Sequence, residues 1–170
     1  MLRDLSRSDC PALSSLFREL PERDRRYRFF SQSVPSPRAL RRWFTKGCRH
    51  LGAFVRTVDG EELVGHAMFC PMQANATAGG SAELGICVAA DWRGWLGAYL
   101  LDALVRVGGE CGLAELEAEI RTDNVEMMAL VRHRGMVIEG PHDPQTVRVH
   151  LRCAGAVSGS TATAAPPLTR

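Results

Sequence analysis

The chain has 170 residues, 45% of them hydrophobic and 24% charged, so it is long enough to bury one core without staples. Its net charge of +2 is too small to indicate nucleic acid or a membrane as a partner. The six cysteines include no pair with zinc-ligand spacing, so we predict no metal and expect free thiols in a reducing compartment. No signal peptide is recognisable and no apolar stretch approaches ~18 residues, which predicts a cytoplasmic protein.

Apolar periodicity and turn residues divide the first half of the chain into strands and helices. Residues 23–30 are mostly basic and aromatic and are interpreted as a connector with aromatic anchors, whose arginines form either a solvated face or a surface for an acidic partner protein. The other predicted elements are a strand over residues 1–5, a helix capped by Ser8-Asp9 and ended by Pro21, a helix opened by Ser36-Pro37, and strands over 51–58 and 63–70 joined at Asp59-Gly60.

The second half of the chain alternates strands with helices. Cys70 and Cys87 lie in apolar runs that predict strands, where a free thiol packs as a small hydrophobe. The predicted architecture is α/β, with a mixed central sheet flanked by about four helices, in a domain over residues 1–153. The elements are a loop over 74–80, a strand over 82–88, a loop over 91–98 that opens a helix, a strand over 116–120, a helix capped by Asp123-Asn124, strands near 136–138 and 147–151, and a disordered tail over 154–170.

Residues 84–101 form the segment with the clearest chemistry, a strand that runs through a glycine-containing turn into a helix. Such a turn points backbone N–H groups outward, and the start of the helix adds roughly half a unit of positive charge. Glycines allow the backbone to approach a phosphate closely. The pattern is typical of a pyrophosphate site, and the alternative is an ordinary tight turn between a strand and a helix.

The flanks of this segment resemble the GNAT superfamily of N-acetyltransferases, from about Leu2 to Leu151 and most strongly over residues 82–136. The resemblance implies a GNAT-like sheet, acetyl-CoA as co-substrate, and transfer of the acetyl group to a primary amine. It also implies a set of cofactor-binding residues. These are Ile86, Cys87 and Val88 on the pantetheine, Arg93, Gly94, Trp95, Leu96, Gly97 and Ala98 on the pyrophosphate, and Asn124 at the next helix.

Within the superfamily, residues 26–31 (Arg-Tyr-Arg-Phe-Phe-Ser) resemble a segment of Pat-type protein lysine acetyltransferases. That resemblance implies a protein lysine as one possible acceptor, and it assigns the role of general base to Glu83. A base is needed because a lysine amine has a pKa of about 10.4 and must lose a proton to attack. His66 is a second candidate, although a histidine alternating with apolar residues on a strand is more often structural. Cys87 is expected to pack in the core, since nothing near it in sequence would activate its thiol.

Two departures from the family pattern leave other functions open. The loop positions that usually hold glycine are Leu96 and Ala98 here, unless one residue is deleted to align Gly97. The tyrosine that protonates the leaving thiolate in many relatives corresponds to Val131. The alternatives are a catalytically weak acyl-CoA-binding or sensor module, and a loop that holds another nucleotide. The sequence identifies neither the amine acceptor nor the oligomeric state.

Overall fold

The computed structural model describes residues 1–45, 47–72 and 79–153. The predicted tail and most of the predicted loop over 74–80 lie outside these residues. The helices are α1 (Cys10–Glu19), α2 (Glu22–Phe29), α3 (Pro37–Trp43), α4 (Leu96–Glu110) and α5 (Val125–His133). The strands are β1 (Leu2–Asp4), β2 (Arg49–Thr57), β3 (Gly60–Pro71), β4 (Ser81–Val88), β5 (Glu115–Arg121), β6 (Val137–Asp143) and β7 (Thr146–Arg152).

The strands form one mixed sheet in the order β1-β2-β3-β4-β5-β7-β6. Every neighbouring pair is antiparallel except β4 and β5, which run parallel. That parallel ladder joins only three residue pairs and ends at Glu83 opposite Glu117. Beyond Glu83 the two central strands diverge, so the middle of the sheet opens toward the carboxyl end of β4.

Helices cover both faces of the sheet, which gives the layered α/β architecture that the sequence predicts. On one face, α4 buries Leu100, Leu101 and Leu104 against the strands in the larger apolar cluster. On the other face, α1 buries Leu13 and Phe17 in a second cluster that also includes α3. None of the helices in the described ranges is both long and apolar enough to cross a bilayer.

The segment interpreted as a connector is a helix, α2, so the described structure has five α-helices. The residues of α2 show no apolar stripe, and periodicity therefore gives no helical signal. Charge placement favours the helix instead, with Glu22 and Asp24 in its first turn and Arg26 and Arg28 in its last. Acidic groups near the amino end and basic groups near the carboxyl end both interact favourably with the helix dipole.

The expectation that Cys70 is a free thiol is wrong, because a disulfide joins Cys48 to Cys70. The two residues are 22 positions apart in sequence, and they meet because the hairpin of β2 and β3 returns the chain to its starting edge. This disulfide also removes the argument that the cysteines indicate a reducing compartment. Cys87 is a free, buried thiol, as predicted.

Candidate functional site

The divergence of β4 and β5 opens a cleft of about 1120 Å³ in the middle of the sheet. Leu84 to Val88 of β4 pair with β3 on one edge, whereas β5 leaves the other edge unpaired. An unpaired strand edge presents backbone N–H and C=O groups to an extended ligand. The cleft therefore offers a row of main-chain hydrogen-bonding groups along one wall.

The amino end of α4 lies at one end of this wall. Gly94 has φ +94°, a left-handed conformation that glycine adopts without strain, and it turns the chain from β4 toward the helix. A Cβ placed on Gly97 would lie 4.0 Å from the side chain of Val88, so the helix start packs directly beside the strand end. No side chain caps α4, and the first-turn amides of Leu96, Gly97 and Ala98 have no acceptor within the described part of the chain. Free amides at the positive end of a helix favour an anion such as a diphosphate.

The predicted cofactor-binding residues fall into two groups with respect to the cleft. The side chain of Leu96 is buried in the core and that of Trp95 is 57% exposed outside the cleft, so each can contribute only its backbone. Asn124 lines the cleft, although its side-chain oxygen already accepts the amide of Met127 at 3.1 Å to cap α5. The others that line the cleft are Ile86, Cys87, Val88, Arg93, Gly94, Gly97 and Ala98.

Glu83 lines the same cleft at the point where the two strands separate. Side chains alternate along a strand, so Glu83, Gly85 and Cys87 face the same side of the sheet, toward α2. The side chain of Glu83 is exposed, which leaves its carboxylate open to a molecule entering the cleft. This arrangement places one carboxylate beside the unpaired edge of β4.

The other two candidates for proton or acyl transfer are poorly suited to it. Burial raises the pKa of the Cys87 thiol to about 11, so the thiol is protonated at neutral pH and is a weak nucleophile. Burial, with Arg28 as a further cause, lowers the pKa of His66 well below its ordinary value. A base with so low a pKa holds a proton poorly at neutral pH.

His66 is also part of a buried histidine pair. Nε2 of His50 lies 3.0 Å from the carbonyl oxygen of Trp43 and must therefore carry the hydrogen. Nδ1 of His50 then accepts a hydrogen bond from Nε2 of His66 at 3.2 Å. These contacts set the tautomer of each neutral ring and give the pair a structural role.

Helix α2 supplies a wall of the cleft that sequence reasoning missed. Asp24, Tyr27 and Arg28 all line the cleft. Asp24 forms an ion pair with Arg93 in the loop before α4, and the hydroxyl of Tyr27 donates to the carbonyl oxygen of Asp123 at 2.9 Å before α5. The helix is thus tied to both sides of the opening. The only sequence signal for this role was the resemblance of residues 26–31 to a family segment.

Comparison with known proteins identifies the family and the fold. Residues 1–137 match the family model of the acetyltransferase (GNAT) domain. No curated protein matches the chain.

Solved structures match the fold along most of the chain. The GNAT domain of S. lividans PAT has a TM-score of 0.75 at 22% identity, covering 89% of each chain. A phosphinothricin acetyltransferase from Sinorhizobium meliloti, in complex with AcCoA, has a TM-score of 0.71 at 19% identity, covering 92% of this chain and 90% of that one. A ribosomal-protein-alanine N-acetyltransferase from Brucella melitensis has a TM-score of 0.67 at 21% identity, covering 88% and 96%. At these identities the likeness confirms the predicted GNAT-like fold and no particular acceptor.

Proposed function

Because the chain belongs to the GNAT acetyltransferase family, we propose that it transfers the acetyl group of acetyl-CoA to a primary amine, with Glu83 as the general base. The observation that carries this proposal is the separation of β4 from β5 beyond Glu83. That separation leaves an unpaired strand edge between a carboxylate and the free amides of α4. The hydrogen-bonding groups of the strand edge and the positive end of α4 suit a long ligand. Such a ligand would carry amides and a thioester along its length and a diphosphate at one end.

The residues of the cleft fit the parts of acetyl-CoA in order. Ile86, Cys87 and Val88 would pair their backbone with the pantetheine arm, and the amides of Leu96 to Ala98 would hold the diphosphate. Leucine at one of the usual glycine positions does not block this role, because the side chain of Leu96 points into the core. When bound, acetyl-CoA supplies the thioester whose C–S bond breaks as the amine nitrogen bonds to the carbonyl carbon.

Glu83 would take the proton that the attacking amine loses, and the CoA thiolate would leave. Its open position in the cleft supports this role, and the lowered pKa of His66 and the raised pKa of Cys87 make those two residues weaker candidates. Glu119 also lines the cleft, but it accepts a hydrogen bond from Thr146 at 2.8 Å. A backbone N–H near Cys87 or Val88 would donate to the acetyl oxygen as negative charge develops there.

The position that corresponds to the tyrosine acid of many relatives favours a second candidate function. Val131 is fully buried in the core and offers no hydroxyl group to the cleft. A protein that binds acyl-CoA without rapid transfer, as a sensor, would need no such acid. We favour the enzyme because a CoA thiolate leaves without full protonation.

The acceptor and the location are also proposals. We propose a protein lysine or a small amine as the acceptor, and the cytoplasm as the location because acetyl-CoA is supplied there. Capture of Cys48 and Cys70 as free thiols in cells would support a reducing compartment. Their protection as a disulfide would argue against it.

The experiment combines binding and turnover. Calorimetry with acetyl-CoA measures the uptake of the co-substrate, and release of CoA thiol measures transfer to a panel of amines and lysine peptides. Glu83→Gln should bind acetyl-CoA with an unchanged Kd and lose kcat by about 100-fold or more, as expected for the removal of a general base. Glu62→Gln is the matched control, because Glu62 is exposed in the hairpin away from the cleft.

The outcomes separate the candidate functions. Full activity in Glu83→Gln would remove Glu83 from the mechanism. Tight binding without transfer to any amine would favour the sensor. Thermal shifts with CoA, ATP and NAD test whether the loop holds another nucleotide, since a ligand at 100 times its Kd adds about 2.7 kcal/mol of stability. No uptake of CoA by folded protein would end the proposal.

A further inference from the structure

Arg28 is the feature of the cleft that acetyl-CoA binding and proton transfer leave unexplained. Its guanidinium lies flat against Gly85 of β4, so close that a Cβ on Gly85 would be 2.6 Å from Cζ. The same guanidinium lies 5.5 Å from the ring centres of both Phe29 and Trp43. Arg28 is therefore held between aromatic rings and the strand. It lies on Gly85, which is between Glu83 and Cys87 on that face of β4.

The guanidinium has no counter-ion among the described residues. Its Nε and Nη2 are buried without any hydrogen-bond partner. Cys87 lies within interaction range of the guanidinium but is a neutral thiol, because burial raises its pKa to about 11. Glu83 acts on Arg28 only through space and forms no ion pair with it. A cation buried without a counter-ion is destabilising.

Although Nε and Nη2 are buried, the Arg28 side chain borders the cleft. Arg28 retains partial exposure and lines the cleft together with Glu83 and Gly85. Buried polar groups are normally satisfied, and one that is not calls for an explanation, of which a bound ligand is one. The ligand that meets Arg28 must bring an acceptor of hydrogen bonds, and negative charge would favour it most.

We propose that Arg28 binds a carboxylate carried by the amine acceptor, close to the amine itself. This inference rests on the proposed function, because it takes the acceptor to react beside Glu83. Glu83 and Gly85 are two residues apart on one face of β4, roughly 7 Å along the strand. An acceptor bound along this face meets the Glu83 carboxylate at its amine end and the Arg28 cation at its other end. The site thus selects a molecule with an amine and a carboxylate in proximity.

Two sources of such a carboxylate exist, a free amino acid and an acidic side chain next to a target lysine in a protein. Matched pairs of acceptors distinguish them. One pair is phenylalanine and phenethylamine, which differ only by the carboxylate. The other is a lysine peptide with glutamate beside the lysine and the same peptide with glutamine. A preference for phenylalanine over phenethylamine indicates a free amino acid as the acceptor. A preference for the glutamate peptide over the glutamine peptide indicates a protein.

The variants are Arg28→Met, which removes the charge at similar length, and Arg28→Lys, which keeps it. Wild-type protein should prefer the carboxylate member of at least one pair by 10-fold or more in kcat/KM, mainly through KM. Arg28→Met should abolish this preference while leaving the Kd for acetyl-CoA unchanged, and Arg28→Lys should retain part of it. A merely structural role would lower the activity toward both members of a pair equally.

A binding measurement keeps the inference testable without turnover. N-acetylglycine and N-acetylglycinamide mimic products with and without a carboxylate, and each is titrated into wild-type and Arg28→Met protein saturated with CoA. Saturable binding of N-acetylglycine to wild type alone is the expected result. Equal binding of both compounds, or equal binding by both proteins, would overturn the role of Arg28. Failure of CoA itself to bind would instead count against the proposed function.

Discussion

Gly85→Ala tests the position of Arg28 without changing the charge of Arg28 or Glu83. The new Cβ would lie 2.6 Å from Cζ and Nη2 and 2.7 Å from Nη1 of Arg28. Contacts between such atoms are normally at least about 3.5 Å, so the guanidinium must move by about 0.9 Å or more. The guanidinium is the end of a flexible side chain, and Gly85 has an ordinary negative or extended φ, so the fold can absorb this movement.

The expected effect on activity is large and the effect on stability is small. A charge-assisted hydrogen bond contributes about 1.5–3 kcal/mol, so its loss should lower kcat/KM for the carboxylate acceptor by about 10- to 100-fold. The free energy of unfolding should change by less than about 1 kcal/mol, since alanine also restricts the unfolded chain.

The assay compares the two members of the preferred acceptor pair, with urea unfolding of the same preparations. Gly140→Ala is the matched control, because a Cβ there meets nothing within 4 Å. Gly85→Ala should add little to Arg28→Met, since both act through one group. The reasoning is refuted if Gly85→Ala keeps the wild-type preference for the carboxylate, or if it loses stability and all activities together.

Two further predictions concern stability. The pKa values of His50 and His66 are lowered by burial, so below pH 6.5 the unfolded chain binds more protons than the folded one. Stability should therefore fall as the pH is lowered through 6.5, by at most about 1.4 kcal/mol per pH unit for each histidine, and the contribution of this pair should level off about one pH unit above 6.5. Urea unfolding at pH 7.5, 6.5 and 5.5 checks this, and equal stability at all three would contradict it. Reduction of the disulfide between Cys48 and Cys70 should destabilise the fold by about 3 kcal/mol, from the entropy of a loop of this length. Unfolding with and without reductant measures the loss, a Cys48→Ser, Cys70→Ser variant should not respond to reductant, and an unchanged midpoint in the wild type would rule the estimate out.

The sequence predicted well those elements whose signals come from neighbouring residues. The strand over 82–88, the glycine loop and the helix after it are recognisable because their spacing, glycines and apolar stripe are local.

Helix α2 could not be predicted by the same means. Its residues have no apolar stripe, and the charge placement that favours it is a weaker signal than hydrophobic periodicity. The sequence therefore suggested a solvated basic segment. In the structure Tyr27 and Arg28 of that segment face the cleft instead.

By itself the sequence predicted the order of most elements. It also led to two proposals, a phosphate-binding loop before α4 and, through the family resemblance, Glu83 as the candidate base. Only the tertiary structure decided that Arg28 lies on Gly85, that Cys48 meets Cys70, and that β5 leaves β4 beyond Glu83. The physical reason is the range of the interactions. Hydrogen bonds at a turn and the face of a helix depend on residues a few positions apart. The burial of a cation, a disulfide and the divergence of two strands depend on which distant segments pack together.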